Sequence, residues 1–491
     1  MSATVSIGIG RRVDRALAWF HRWVGIVLGL LFVAWFASGA VLLYVPFPAL
    51  SEQDRLAHSE PIDGSKLTVT PEAALAASRG TEQLALVSVA GEPVYLAFDA
   101  GGKAVAVAGD RGIPLTFSAR VARTVAERFA KSSVLSVTGP LEYDQWIVHQ
   151  RFDPFRPFFR ARLAGPAETD LYVSARTGQV LQATTGRQRA WNWCGAVLHW
   201  LYFTPLRKSW TAWNQVVWWL SLLALLANLA GTWLGIDRTV RTRAHNRTRW
   251  SPFRGWMRWH HVIGLFASAV ILIWMLSGWL SMDHGRLFSR GQPSAHAVSL
   301  VRGMSLEAVT RAVPASFKEA LPGAAEVRFN AIAGQPFAAA QGGALTHPRV
   351  TWLNPPATVP TDSIPTSILQ AGLRAAWASP AQVEPIPASG HDFYAIAESL
   401  DSNAQAFDIK EHDTLRVYVH KVTGDLLVVM DPSRRAYAWV YYALHTFNFP
   451  ALLGRPVSRE IIILLQLMVG LTFVATGIVV GYRRLGKSFA R

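Results

Sequence analysis

The chain has 491 residues, 51% of them hydrophobic, with 20 Trp and a formal net charge of +16. Its single cysteine, Cys194, excludes an intramolecular disulfide, dithiol exchange and a cysteine-ligated cluster, and reads as a small apolar filler rather than a nucleophile. The basic surplus flanks apolar segments and brings no nucleic-acid-binding motif, so nucleic acid is not the partner it points to.

Four charge-free apolar segments, Val24–Val45, Thr211–Ile236, Val262–Met282 and Ile461–Tyr482, reach the roughly 20 residues needed to cross about 30 Å of hydrocarbon. Ahead of them, residues 1–20 are a basic lead-in. Its Val13, Leu17 and Phe20 keep helical spacing, which predicts a short interfacial helix. The first apolar run is too long for a cleaved signal peptide, and no small-residue cleavage site follows it. Arg11, Arg12, Arg15 and Arg22 precede the first span, and arginines from Arg238 to Arg258 crowd the connection 237–258. Arg483, Arg484, Lys487 and Arg491 follow the last span. By the positive-inside rule these segments share the cytoplasmic side. The predicted order is a first span (21–45), an outward domain (46–190), a histidine-bearing segment with the second span (191–236) and the basic loop. A third span (259–282), a second outward domain (283–436), a histidine-bearing segment with the fourth span (437–482) and a tail (483–491) follow, with both termini inside.

The first outward loop predicts a helix opened by Thr70-Pro71-Glu72, where Thr caps and Pro suits the first helical position. Strands are predicted at Ala85–Val89, Pro93–Phe98 and Ala104–Ala108, a helix over Ser118–Lys131, and strands at Val134–Thr138, Phe158–Ala164, Asp170–Ser174 and Gln179–Ala183. The second loop repeats the plan: Ser305-Leu306-Glu307 caps a helix, strands lie at Glu326–Asn330 and Arg349–Leu353, and a helix covers Thr366–Trp377. Closing hairpins match most closely, Leu171-Tyr172-Val173 turning at Thr177-Gly178 and Val417-Tyr418-Val419 at Thr423-Gly424, where a tight turn needs positive φ. Upstream, Tyr143-Asp144-Gln145-Trp146 resembles His391-Asp392-Phe393-Tyr394.

The spans repeat as well. His21–Leu43 aligns without a gap on His260–Met282, setting Gly25 on Gly264, Trp35 on Trp274 and Ser38-Gly39 on Ser277-Gly278. His199 and His445 each stand 32 residues before a G-x-x-x-G step, Gly231/Gly235 and Gly477/Gly481, usable for close helix approach. The chain therefore reads as two copies of one unit. A twofold axis along the membrane normal would gather His21 with His260 at the inner leaflet and His199 with His445 at the outer. If the copies pack differently, His21 meets the neighbourhood of His199 instead.

Two facing imidazoles are a natural axial pair for haem iron in a helix bundle. Gly25 and Gly264, four residues on from their histidines, remove side chains where a flat macrocycle would lie. Two such sites, one above the other, would carry electrons across the bilayer. The plainer role of each histidine is an interfacial anchor, but four placed symmetrically favour ligands. Zinc fits less well, since no carboxylate or cysteine accompanies these histidines inside the spans. His261 points about 100° away from His260 on a helix, and its counterpart is Arg22. His284, at the end of the third span, could touch substrate or a haem propionate. Trp35 and Trp274, deep in their spans, could pack against a macrocycle, core packing being their ordinary role. His149, His391 and His420 read as ordinary polar residues of the outward domains.

The pattern His21-Arg22-Trp23-Val24-Gly25, its echo at His260, the Tyr-Val…Thr-Gly hairpins and Leu444-His445-Thr446 through Gly454-Arg455 to Thr476-Gly477 resemble the PepSY-associated transmembrane proteins. That family includes inner-membrane ferric-siderophore reductases, ferrioxamine reductase among them. Ser38-Gly39 stands where the family often has Thr-Gly, and the outer loops are long. The resemblance implies a bacterial inner-membrane protein with four transmembrane helices in two pseudo-symmetric repeats, each with an inserted periplasmic α+β PepSY-like domain. It implies two haems b on His21, His199, His260 and His445, reducing iron(III) in periplasmic siderophores, hydroxamates by preference, to release iron(II). Adding one electron loosens the chelate's hold on a hard ion and needs no general base or nucleophile. The cytoplasmic segments are too short for a flavin or nicotinamide domain, so a quinol or a separate reductase would donate electrons. Two other classes remain: a non-enzymatic PepSY scaffold or regulator on a membrane anchor, and a siderophore permease, which the absence of charged or Pro-broken spans disfavours.

Overall fold

The computed structural model describes residues 2–489 except 100, 315–316, 319–320, 355–358, 378–381 and 411–413; Arg491 of the basic tail lies outside them. Two compact units form. One joins Met1–Phe47, Ala190–Phe288 and Ala436–Arg491, and the other joins Pro48–Arg189 and Ser289–Arg435.

Among the described residues, the first unit holds four helices long and apolar enough to cross a membrane: Ser2–Tyr44, Trp210–His245, Gly255–Ser281 and Pro456–Phe489. The lead-in is not a separate interfacial helix. No Gly or Pro interrupts the run from Arg11 to Val24, so the i to i−4 ladder continues and Ser2–Tyr44 is one helix. The second helix likewise passes beyond Ile236 to His245, which leaves only 246–254 of the basic loop as connection. Ser209 accepts from the Ala212 N–H at 3.3 Å to cap it, and Pro456 opens the fourth helix, where a missing N–H costs least. The first and third helices each pack against the second and fourth, so they stand on a diagonal of the bundle. Phe36, Ala267, Ile271, Trp274, Leu467 and Val474 fill its centre.

The second unit contradicts the picture of one domain per loop. A single antiparallel sheet takes strands from both, in the order Arg349–Trp352, Gln335–Gln341, Glu326–Ile332, Gly80–Val89, Glu92–Asp99, Ala104–Ala108 and Pro114–Leu115. Its middle pair sets Leu84 opposite Phe329, Leu86 opposite Val327 and Val87 opposite Glu326. One core then contains Leu84, Leu86 and Tyr95 from the first loop with Val327, Phe329 and Leu353 from the second. Each loop also folds a four-stranded meander of its own, Val134–Leu141, Phe158–Leu163, Asp170–Ser174 and Val180–Thr184 in one, Gln382–Pro385, Ala404–Lys410, Thr414–His420 and Leu426–Met430 in the other.

The meanders share a lock. Tyr172 Oη donates to Asp144 at 2.7 Å and Tyr418 Oη donates to Asp392 at 2.8 Å. Burial, with those carboxylates beside them, pushes both phenols above the usual tyrosine range. Their turns place Gly178 at φ 69° and Gly424 at φ 71°, left-handed values that only glycine adopts without penalty.

Candidate cofactor site

His21 sits on the first long helix and His260 on the third, and across the bundle diagonal their ring centroids are 6.3 Å apart with planes at 36°. His199 and His445 lie on the segments ahead of the second and fourth helices, with centroids 6.4 Å apart and planes at 61°. His21 does not meet His199. Both of these segments contain a π-helical turn, Trp193–Val197 and Trp439–His445, of the kind often found at functional sites. Two residues past each histidine the chain takes positive φ at a non-glycine, Leu201 at 52° and Phe447 at 56°.

The neighbours of each ring fix its tautomer. His21 Nδ1 lies 2.9 Å from the Ala227 carbonyl, which can only accept, so Nδ1 carries the proton. Thr476 Oγ1 spends its hydrogen on the Phe473 carbonyl at 2.6 Å and therefore accepts from His260 Nδ1 at 3.1 Å. Ser38 donates to the Trp35 carbonyl at 3.1 Å, and His199 Nδ1 points at both, 3.1 Å from Ser38 Oγ and 3.2 Å from Trp35 O. Ser277 donates to the Trp274 carbonyl at 3.3 Å and accepts from His445 Nδ1 at 3.2 Å. All four rings thus carry hydrogen on Nδ1 and keep the lone pair on Nε2, the arrangement of an imidazole ready to ligate a metal.

Glycines seat the rings. A Cβ on Gly231 would strike the His21 ring, 2.7 Å from Nδ1, and one on Gly278 would come within 3.0 Å of His445 Cε1. Gly477 stands similarly 3.2 Å from His260, and Gly39 3.7 Å from His199. Gly25 faces open space, whereas a Cβ on Gly264 would lie 2.7 Å from Phe473, whose ring stacks on His260 at 4.7 Å. So of the two glycines expected to make room for a macrocycle, Gly25 borders open space and Gly264 makes room for Phe473. A cavity of about 480 Å³ opens beside the His21–His260 pair, lined by both rings, Gly25, Gly264, Gly231 and Gly477 among others.

The remaining candidates have other partners. His261 is buried, its Nε2 3.0 Å from the Gly235 carbonyl, and it edges the same cavity. His284 turns to Asn214 at 2.6 Å and stacks on Trp218 at 4.6 Å. Trp274 is buried between Phe36 and Phe447, and Trp35 lies edge-on to Phe32 while its carbonyl serves His199. Ser38, Ser277, Thr476, Gly231 and Gly477 have parts the sequence reading did not assign. Duplication marked four of them, as Ser-Gly steps to which no role was given and as G-x-x-x-G steps read only as packing; it did not mark Thr476, whose counterpart is Ala230.

The donor set suits haem. Among the described residues no group of three or more His, Cys, Asp or Glu converges, so each centre offers two imidazoles. With a metal–nitrogen bond of about 2 Å and a ring nitrogen about 1 Å from its ring centre, imidazoles on opposite sides of one metal have centroids about 6 Å apart. Both pairs have that spacing. Compared with known proteins, residues 18–341 match the family model described as the PepSY-associated TM region. No curated protein matches the chain.

Proposed function

The chain belongs to the PepSY-associated transmembrane family, and from that premise we propose that it is a membrane reductase holding two haems b, which passes single electrons across the bilayer to iron(III) in siderophores. The observation that carries the reading is the uniform state of four histidines: paired at 6.3 and 6.4 Å, each with Nδ1 engaged and Nε2 left to ligate. The histidine pairs would hold the haems, whose iron supplies one-electron transfer when bound. The chain's own residues do the rest. Ser38, Ser277, Thr476 and the Ala227 carbonyl hold ring orientation and raise ligand basicity. Phe36, Ile271 and Trp274 keep water from the layer between the pairs.

In this reading the two copies form a pseudo-twofold repeat. The arginine-rich ends face the cytoplasm of a bacterium's inner membrane with both termini, and the strand-rich unit lies in the periplasm, where it meets the chelate. On the first long helix, seventeen residues separate His21 from Ser38, the partner of His199, which at 1.5 Å per residue is about 25 Å, a separation that supports one pair near each leaflet. Electrons come from a quinol or a cytoplasmic reductase.

An absorption spectrum of the detergent-solubilised protein, oxidised and then dithionite-reduced, tests this. Two b-type haems per chain are expected, with His199→Ala or His445→Ala removing one and His21→Ala or His260→Ala the other. Reduced protein should then convert a ferric hydroxamate to iron(II), trapped by a colorimetric chelator. A colourless preparation from haem-replete cells would overturn it and leave the two classes without a chromophore, the membrane-anchored scaffold first.

A further inference from the structure

The second and fourth long helices carry the same three-residue pattern at the same end. Gly231, Gly235 and Arg238 are repeated in spacing by Gly477, Gly481 and Arg484. Positions i, i+4 and i+7 lie on one helix face, so each arginine shares a face with the glycine that abuts an imidazole, Gly231 under His21 and Gly477 beside His260. At 1.5 Å per residue each arginine stands about 10 Å further toward the arginine-rich connection. Both arginines line the 480 Å³ cavity that holds His21, Gly25 and His260. Arg238 is half-buried there; its carboxylate neighbour is Asp237 at 3.2 Å, and Arg241 takes the other oxygen of Asp237 at 2.7 Å.

A largely apolar space between helices, lined by Arg238 and Arg484 from the second and fourth helices and by Arg22 from the first, suits a flat ligand that has an apolar body and two carboxylates on one edge. We propose that Arg238 and Arg484 form a two-armed carboxylate clamp for the propionates of the haem on His21 and His260. This rests on the haem reading of that pair. The clamp fixes which edge of the macrocycle faces the arginine-rich end, a choice the two imidazoles alone cannot make, since a ligand on their axis is free to rotate about it.

The test uses the full chain with His199→Ala and His445→Ala, so that only this pair can bind. Haem-free protein is titrated with haemin and with haemin dimethyl ester, and the Soret band is followed. The parent should bind haemin at least about tenfold more tightly than the diester, the scale of hydrogen bonds between charged groups. Arg238→Gln with Arg484→Gln should bring haemin down to the diester's affinity while leaving the diester unchanged, and should lower the midpoint potential as the propionates lose their counter-charges. Arg238→Lys with Arg484→Lys should restore part of the preference, because ammonium gives charge without the bidentate fork. Equal binding of haemin and diester by the parent overturns the clamp, as does a preference that survives in the double Gln variant. It is overturned too if the Gln variant instead loses co-purifying anionic lipid, which would make that headgroup the arginines' ligand. If neither ligand shifts the Soret band of the parent, the haem reading of this pair falls, and the clamp with it.

Discussion

In the helical unit the two halves of the chain meet through side chains, His21 opposite His260 and His199 opposite His445. In the strand-rich unit they meet through main chain, Gly80–Val89 hydrogen-bonded along Glu326–Ile332 to make one sheet from two loops. The difference governs what each unit tolerates. Side-chain meetings depend on a few residues and the glycines that seat them. A strand pair depends on register and on whatever charge the pairing buries. In the second case that charge is Glu326, buried and bonded to Arg55 at 2.9 Å and to Arg328 at 2.6 Å.

The largest effect on folding is therefore expected at Glu326. Burial alone would raise its pKa, but the Arg328 and Arg55 guanidinium groups overcome that and hold it down to about 2. A folded pKa below the unfolded one means stability present above about pH 4.3 and lost as pH falls through that value toward 2. Glu326→Gln leaves Arg55 and Arg328 facing a neutral amide. It should cost about 3 kcal/mol, the low end for breaking a buried pair, because Arg328 keeps Glu52 and Asp425. Hydrogen exchange in the full chain reads it out: amides of Gly80–Val89 and Glu326–Ile332 should exchange faster by two orders of magnitude, with the acid sensitivity below pH 4 reduced. Unchanged protection in the variant would show that the strand pair does not depend on this charge.

How far the sequence spoke follows the same division. Side chains at fixed offsets are visible in a string of letters, so His21, His199, His260 and His445, the Ser-Gly steps and the Tyr-Val…Thr-Gly hairpins could be read directly. Register between distant strands leaves no such trace. Nothing in Glu326–Ile332 says that its partner is Gly80–Val89, some 240 residues away, rather than a strand of its own loop. The strands Gln335–Gln341 and Gln382–Pro385 also escaped, because Pro336, a run of alanines and Pro385 carry little β-branched or alternating signal. The hydroxyl of Thr476 was hidden for another reason. Its counterpart is Ala230, so the duplication did not mark it, and His21 makes do with the Ala227 carbonyl.

On the helical side the seating glycines set the next effect. Gly231→Ala drives a methyl into the His21 ring, whereas Gly39→Ala brings one only to 3.7 Å from His199 and 3.3 Å from Leu467. Overpacking of the first kind costs about 1–3 kcal/mol. Gly231→Ala is thus expected to lower the thermal midpoint of the solubilised protein and, if the proposed haem binds there, the amount retained by the His21–His260 pair, while Gly39→Ala leaves the other pair close to wild type. Equal losses in both variants would mean that helix packing at large, and not the ring, is what these glycines serve.

The smallest effect separates the acceptors of Nδ1. His260 uses the Thr476 hydroxyl, and His21 uses a main-chain carbonyl. Thr476→Ala removes the hydroxyl but frees the Phe473 carbonyl it had occupied, so His260 falls back on the arrangement His21 already has. The net loss should be about 1 kcal/mol, the worth of one hydrogen bond exchanged for another of poorer geometry. On the proposed haem reading, loss of haem from that pair to an excess of scavenger protein should quicken by less than about tenfold. The reverse exchange, Ala230→Thr, offers His21 a hydroxyl and should leave the rate unchanged or slower. A hundredfold faster loss in Thr476→Ala would mean that the two halves hold their imidazoles in ways a carbonyl cannot replace, and that the divergence between Ala230 and Thr476 separates a weak site half from a strong one.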